Sequence, residues 1–143
     1  MNSYATDTLF QRHFPSTFKE SPPLMALGTL QWGTTPIVNN IINGSRGVLS
    51  ESEARDIYST FRSKGVVLFD TAEGYGGGTS EKRLGRLRQK EPASDDNNEA
   101  IFMSKFLPSP WRYTHAHFES ALRASNERMG ISKAPIYFLH SPM

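Results

Sequence analysis

The chain has 143 residues, of which 37% are apolar and 21% are charged, and its formal net charge is +2. This apolar content is sufficient for the core of a single domain and argues against global disorder. There is no cysteine, which excludes disulfides, thiolate metal sites and a cysteine nucleophile. Lysine and arginine are scattered, and no apolar run approaches the ~20 residues of a membrane-spanning helix. We therefore expect no nucleic acid partner and no membrane span.

The chain divides at residue 24. Residues 1–23 are rich in Ser and Thr and lack the central apolar block of a secretory signal. They predict a disordered or loosely packed N-terminal tail, with a cleaved organelle transit peptide as the alternative. The expected location is the cytoplasm, or an organelle such as a plastid if the tail is a transit peptide. Residues 24–143 form the predicted folded domain.

The first part of this domain alternates strand and helix patterns. A strand is expected over residues 24–32, and a helix begins at Ser50, where Ser50 and Glu53 have the spacing of a capping box. Four apolar residues at helical spacing form one stripe of this helix: Ala54, Ile57, Tyr58 and Phe61. Gly65 follows as a C-terminal cap. The apolar run 66–69 is typical of a strand that is buried on both faces of a parallel sheet.

The second part repeats the pattern. A helix over residues 80–89 leads through a polar loop, 90–99, to a third strand, 100–104. A third helix follows over residues 114–129, and a fourth strand over 136–139. Strands that alternate with helices predict right-handed crossovers and a parallel sheet.

Three polar residues stand at or just after the ends of predicted strands. Asp70, Lys105 and His140 are separated by equal intervals of 35 residues. Eight units of that length make about 280 residues, within the size range of a (β/α)8 barrel. The chain supplies about four units. The predicted fold is therefore α/β, a (β/α)8 TIM-barrel type of which about the first four βα units are present, that is, a partial barrel.

The carboxyl ends of the strands of such a barrel meet at one rim, where active sites form. We therefore expect Asp70, Tyr75, Lys105 and His140 to converge. An adjacent ammonium makes a phenol a stronger acid, so Lys105 would prepare Tyr75 for proton donation. Asp70 would hold Lys105 charged and oriented. His140 would donate a hydrogen bond to a substrate oxygen.

This set suits proton delivery to a carbonyl oxygen as it becomes an alkoxide. A reduction of that kind also needs a hydride, which proteins take from a nicotinamide cofactor.

Four segments of the chain carry a family resemblance. FDTAEGYGGGTSEKRLG (69–85) resembles the aldo-keto reductase signature, in which Asp and Tyr stand five apart before a Gly-rich turn and a helix that starts Ser-Glu. The likeness extends to LGTLQWG (27–33), MSKFLPSPWR (103–112) and YFLHSP (137–142). The resemblance implies a (β/α)8 barrel that reduces an aldehyde or ketone to an alcohol with NADPH, or in some members NADH.

The resemblance also implies roles for individual residues. Tyr75 would be the general acid, Asp70 and Lys105 would tune it, and His140 would bind and orient the carbonyl group of the substrate. Asp70 would also contact the ribose side of the cofactor. Three residues lie near the expected nicotinamide-phosphate region: Gly28, Thr29 and Leu30, the last of which stands where many members carry Trp.

Two tryptophans follow predicted strands. Trp32 and Trp111 would either form a wall of a substrate pocket or cover the rim of the barrel. The glycine run 76–78 lacks the Lys-Ser/Thr ending of a P-loop, so we interpret it as a flexible turn that lets Tyr75 reach the site.

Other polar segments have simpler interpretations. The basic segment 81–90 is typical of a solvated helix face rather than a nucleic acid patch. His115 and His117 are two residues apart, which places them on different sides of a helix. Because no His-Glu-x-x-His motif is present either, no metal site is expected.

Four strands of an eight-stranded barrel leave two open edges and an uncovered core face, which favours self-association. Two functions follow. In the first, the chain is the N-terminal half of a reductase of small carbonyl compounds. In the second, it is a non-catalytic half-barrel that binds or assembles with a partner. Members of the aldo-keto reductase family that the chain resembles also serve as channel-associated subunits. The complete Asp-Tyr-Lys-His set favours the first for a parent enzyme, and the short length favours the second for this chain.

Overall fold

The computed structural model describes residues 25–33, 48–91 and 99–141. Its elements are β1 (Ala26–Gly28), a 3-10 helix (Leu30–Trp32), α1 (Glu51–Ser63), β2 (Leu68–Asp70), α2 (Thr79–Gln89), β3 (Ile101–Phe106), α3 (His115–Met129) and β4 (Ile136–Leu139). The four strands form one parallel sheet in the order β1-β2-β3-β4. This sequential order confirms the predicted partial barrel. The predicted N-terminal tail and most of the predicted loop 90–99 lie outside the described residues.

The strands differ from their predicted bounds. β1 ends at Gly28, because the chain then turns into the 3-10 helix, where the Trp32 N–H donates to the Thr29 carbonyl at 3.0 Å. The apolar segment 24–32 was predicted as one strand, but its last residue, Trp32, is apolar because its side chain packs in the core from the 3-10 helix. β3 extends two residues further than predicted, to Phe106, so Lys105 lies inside a strand rather than after it.

The helix boundaries follow the capping signals. At the start of α1 the Ser50 N–H donates to Glu53 Oε2 at 2.8 Å, and the Glu53 N–H donates to Ser50 Oγ at 3.2 Å, which confirms the capping box. Gly65 follows α1 at φ +79°, and Gly130 ends α3 at φ +65°. Left-handed backbone of this kind favours glycine, which has no Cβ to clash.

The hydrophobic core lies between one face of the sheet and the three helices. Phe69 of β2 and Phe102 of β3 are paired in register and therefore share this face. Their rings meet edge-to-face at 6.1 Å, and Tyr58 of α1 stacks on Phe69 at 4.7 Å. Full burial of a side chain such as Phe69 contributes about 1.5–3 kcal/mol. The remaining core members are Trp32, Ala54, Leu84, Leu87, Ala100, Met129 and Ala134.

The opposite face of the sheet carries the polar residues that were expected to converge. Asp70 pairs with Met103 and Gly28, and Lys105 pairs with Phe138, which places all of them on this face. The face is open: Gly28 is exposed and Phe138 is 46% exposed. Among the described residues, apolar surface is therefore exposed beside the polar rim. Within the described ranges, no helix is both long and apolar enough to cross a membrane.

Candidate active site

Lys105 is the centre of the polar cluster at the C-terminal rim. Its Nζ donates to Asp70 Oδ1 at 2.6 Å and to the Thr71 carbonyl at 2.8 Å, and it lies 3.4 Å from the Tyr75 hydroxyl. Asp70 ends β2 and Lys105 is the penultimate residue of the neighbouring β3, so parallel pairing brings them together. The predicted contact of Lys105 with both Asp70 and Tyr75 is confirmed. The ammonium is thus held between oxygens of Asp70 and Thr71, at the end of β2, and is directed at the phenol.

His140 completes the cluster. It directly follows β4, and its N–H donates to the Phe106 carbonyl at 2.8 Å, which continues the strand pairing by one residue. The imidazole meets the Tyr75 ring edge-to-face with centroids 5.4 Å apart. Burial, and then the positive charge of Lys105, lower the pKa of His140, so the imidazole is neutral at neutral pH. In the described part of the protein, its buried Nδ1 has no hydrogen-bond partner.

The glycine run before α2 has a conformational cause. Gly76, Gly77 and Gly78 have φ of +62°, +63° and +86°, three consecutive positive values that residues with a Cβ rarely adopt. Gly76 also meets the backbone of the loop after β1, because a Cβ on Gly33 would lie 2.5 Å from Gly76 Cα. We predicted a flexible turn that lets Tyr75 reach the site. The structure supplies a different reason for the glycines, which is a left-handed turn pressed against a neighbouring loop.

A network of buried hydroxyls lies below the site. Ser80 Oγ donates to the Thr29 carbonyl at 3.0 Å and lies 2.7 Å from Thr29 Oγ1, while Thr71 Oγ1 donates to Ser80 at 3.0 Å. All three residues are fully buried. Thr29 Oγ1 also donates to the Asp70 carbonyl at 2.9 Å. The network therefore fixes the backbone that presents the Asp70 carboxylate and the Thr71 carbonyl to Lys105.

A buried ion pair supports the same elements from the helix side. Glu81 of α2 is completely buried, and its two oxygens accept from Ser104 Oγ at 2.6 Å and from Arg128 Nε at 2.5 Å. Sequence reasoning missed this pair. A signal was available, because Glu81 precedes Leu84 by three residues and so shares the apolar face of the helix. The pair joins α2 and α3 to β3 beside Lys105.

The predicted cofactor and pocket residues have different placements. Gly28 and Leu30 are exposed, and within the described part of the chain nothing lies within 4 Å of where a Cβ on Gly28 would stand. Thr29 and Trp32 are buried, the latter within the hydrophobic core. A direct cofactor contact by Thr29 and a pocket wall formed by Trp32 would both require exposed atoms, so their burial does not favour these two roles, which stay predictions. Trp111 is 79% exposed on the loop after β3, where its pocket role stays a prediction.

No metal centre is formed by the described residues, since no three histidine, aspartate or glutamate side chains come together there in a way that could hold an ion. His115 contacts Glu119 at 3.9 Å on the exposed surface of α3, and His117 caps the start of that helix through Thr114. Both histidines therefore have local helical roles.

Comparison with known proteins identifies the family of this chain. A sequence model described as the aldo/keto reductase family matches residues 24–143. The chain belongs to the aldo/keto reductase family. Solved structures of aldo-keto reductases share the fold: that of Tm1743 superposes with a TM-score of 0.65 at 22% identity over 90% of this chain and 42% of its own. A Klebsiella pneumoniae family member, in complex with NADPH, gives a TM-score of 0.60 at 21% identity, covering 82% of this chain and 35% of its own.

Curated relatives within the family include a chloroplastic pyridoxal reductase of Arabidopsis thaliana, 31% identical over 81% of this chain and 32% of its own. An uncharacterized oxidoreductase of Mycobacterium tuberculosis is 36% identical over 82% of this chain and 32% of its own. The chain thus spans about a third of the length of the curated relatives that it matches.

Proposed function

We propose that this protein takes part in the NADPH-dependent reduction of an aldehyde or ketone to an alcohol. The observation that carries the proposal is the position of the Lys105 ammonium, which contacts the Asp70 carboxylate and the Tyr75 phenol at once. Tyr75 carries a hydroxyl proton and lies 3.4 Å from the Lys105 ammonium. It is the general acid in this proposal.

The residues around Tyr75 have supporting roles. Asp70 orients and neutralises Lys105, and the Lys105 ammonium would stabilise the negative charge that develops on the Tyr75 oxygen as its proton passes to the substrate. Because His140 is neutral, its imidazole can donate one hydrogen bond to that oxygen without competing as a strong acid. The substrate carbonyl would therefore be held between Tyr75 and His140.

The proposed cofactor site lies beside Asp70 at the rim. Gly28 pairs with Asp70 on the open face, and no atom of the described residues lies within 4 Å of where a Cβ on Gly28 would stand. Gly28, the exposed Leu30 and Asp70 would contact the bound nucleotide. A reduced nicotinamide supplies the hydride that the protein side chains lack. NADPH is bound in the Klebsiella relative and is the expected cofactor, with NADH as the alternative.

The experiment is an assay of the wild-type chain with NADPH, using cofactor fluorescence for binding and loss of NADPH absorbance for turnover. Pyridoxal and a simple aromatic aldehyde are suitable substrates, since one relative is named for pyridoxal reduction. Tyr75→Phe should lower kcat by about 10²–10⁴-fold, the usual contribution of general acid catalysis, and leave NADPH binding intact. The matched control is Tyr113→Phe, which removes the phenol of an exposed tyrosine on the loop after β3.

Two results would count against the proposal. Near-wild-type turnover by Tyr75→Phe would mean that the proton comes from another group. NADPH binding without turnover by the wild-type chain would favour the alternative, a non-catalytic half-barrel that acts as a binding subunit.

A further inference from the structure

Glu73, two residues before Tyr75, is tied to the loop that follows β3. Its Oε1 accepts from Arg112 Nη1 at 2.7 Å and from the Leu107 N–H at 2.6 Å, and its Oε2 accepts from Arg112 Nη2 at 2.7 Å. The Glu73 side chain is only 11% exposed. Two parallel charge-assisted bonds between a guanidinium and a carboxylate fix orientation as well as distance. We call this pair the Glu73–Arg112 clamp.

The backbone at Glu73 is tied to the same strand. The Glu73 N–H donates to the carbonyl of Lys105 at 3.3 Å, so main chain and side chain both attach this segment to the end of β3. Arg112 is itself fixed: its guanidinium lies 4.7 Å from the Phe106 ring, and its backbone pairs with Ser109 in a short bridge. The clamp is therefore anchored at both ends.

The segment from Ala72 to Tyr75 is a tight turn, in which the Tyr75 N–H donates to the Ala72 carbonyl at 3.0 Å. Gly74 is the single residue between Glu73 and Tyr75 in the sequence, and a Cβ added to Gly74 would lie 3.5 Å from the Leu107 side chain. Glu73 and Tyr75 therefore belong to one short turn, which the hydrogen bond from Tyr75 to Ala72 closes. On the other side, Lys105 is one strand residue from Phe106, against which Arg112 packs.

We propose that the Glu73–Arg112 clamp is a positioning device that sets the distance between the Tyr75 hydroxyl and the Lys105 ammonium. The catalytic part of this inference rests on the proposed function. The geometric part does not, because it concerns only where Tyr75 lies relative to β3. A displacement of about 1 Å between reacting groups can cost about 10²-fold in rate, so a clamp at this point has a direct effect on turnover.

The test reports on Tyr75 without requiring activity. The protein is labelled with ¹³C at the ζ carbon of its five tyrosines, and the Tyr75 resonance is assigned with Tyr75→Phe. Glu73→Gln keeps the size of the side chain but turns an amide donor toward the guanidinium, so one bond and the charge are lost. Arg112→Lys, at the more exposed partner, keeps the charge and loses the bidentate geometry. Both variants should shift or broaden the Tyr75 resonance and leave that of Tyr58 in place.

The matched control is Glu91→Gln. Glu91 accepts from Arg62 Nε at 2.6 Å and Nη2 at 3.4 Å, so it also forms a bidentate pair, but one that lies beside Tyr58. Burial, and then the charge of Glu91, raise the pKa of Tyr58. The control should therefore move the Tyr58 resonance and leave the Tyr75 resonance unchanged, the reverse of the clamp variants.

Activity supplies the second measurement. If the wild-type chain reduces a carbonyl with NADPH, Arg112→Lys should lower kcat by about 10–10²-fold with unchanged NADPH affinity. An unchanged Tyr75 resonance in folded Arg112→Lys would overturn the clamp, as would equal shifts of all tyrosine resonances in both clamp variants, which indicate a general structural role. Absence of turnover in the wild type would count against the proposed function alone, and the resonances would still decide on the clamp.

Discussion

Replacement of Arg128 by methionine should cost this protein a substantial part of its stability. Arg128 provides the positive charge opposite Glu81, which is completely buried between α2, α3 and β3. Methionine keeps the aliphatic length of the side chain but removes the guanidinium. Glu81 would then be a buried carboxylate whose remaining partner is the hydroxyl of Ser104.

The magnitude follows from the burial of the two partners. Removal of one member of a buried ion pair costs about 3–5 kcal/mol, because the other charge is left without compensation. The Arg128 side chain is 22% exposed, so water screens part of the interaction and we expect about 2–3 kcal/mol. With a change of about 2–4 °C per kcal/mol for a chain of this size, the melting temperature should fall by about 4–12 °C.

The assay is thermal unfolding followed by circular dichroism at one matched protein concentration, supported by urea unfolding. Arg123→Met is the control, because Arg123 pairs with Glu119 at 3.5 Å on the exposed side of the same helix and such pairs contribute only about 0.3–0.5 kcal/mol. The double variant Glu81→Gln, Arg128→Met should be less destabilised than Arg128→Met, since no buried charge remains. Equal effects of Arg128→Met and Arg123→Met would refute the reasoning.

Three further predictions address the site, its support and the open sheet. The pKa of His140 is lowered in the folded protein, so the unfolded chain binds the proton more readily, and the wild type should lose stability as the pH falls through about 6.5 and below. In thermal unfolding at several pH values, His140→Gln should flatten this pH dependence. A control substitution at the exposed His115 should keep it. Ser80→Ala leaves buried hydroxyl partners unsatisfied and should lower the free energy of unfolding, measured with urea, by about 1–3 kcal/mol. No measurable change would mean that the hydroxyl network does not stabilise the fold. Leu139→Lys places a charge on the edge strand β4, where the leucine is 63% exposed. If the open edge drives self-association, this variant should shift sedimentation velocity profiles toward monomer. Unchanged profiles would indicate that another surface is responsible.

Local sequence signals predicted the elements well wherever a physical rule acts over a few residues. The spacing of Ser50 and Glu53 predicted the start of α1, and Gly130 predicted the end of α3, because capping depends on hydrogen bonds and backbone angles within one turn. Strand bounds were less accurate. The apolar run before Trp32 appeared as one strand, although a core side chain on a 3-10 turn produces the same pattern.

The residue spacing by itself determined that Asp70, Lys105 and His140 would stand at the same rim, since parallel strands bring equivalent positions of successive βα units to one edge. Only the tertiary structure decided how that rim is supported. Glu73 and Arg112 are 39 residues apart, and Glu81 and Arg128 are 47 apart, so nothing local in the chain pairs them. Carboxylates and guanidiniums occur throughout the sequence. Tertiary packing determines which of them are buried away from water, and a buried charge requires a partner of opposite charge.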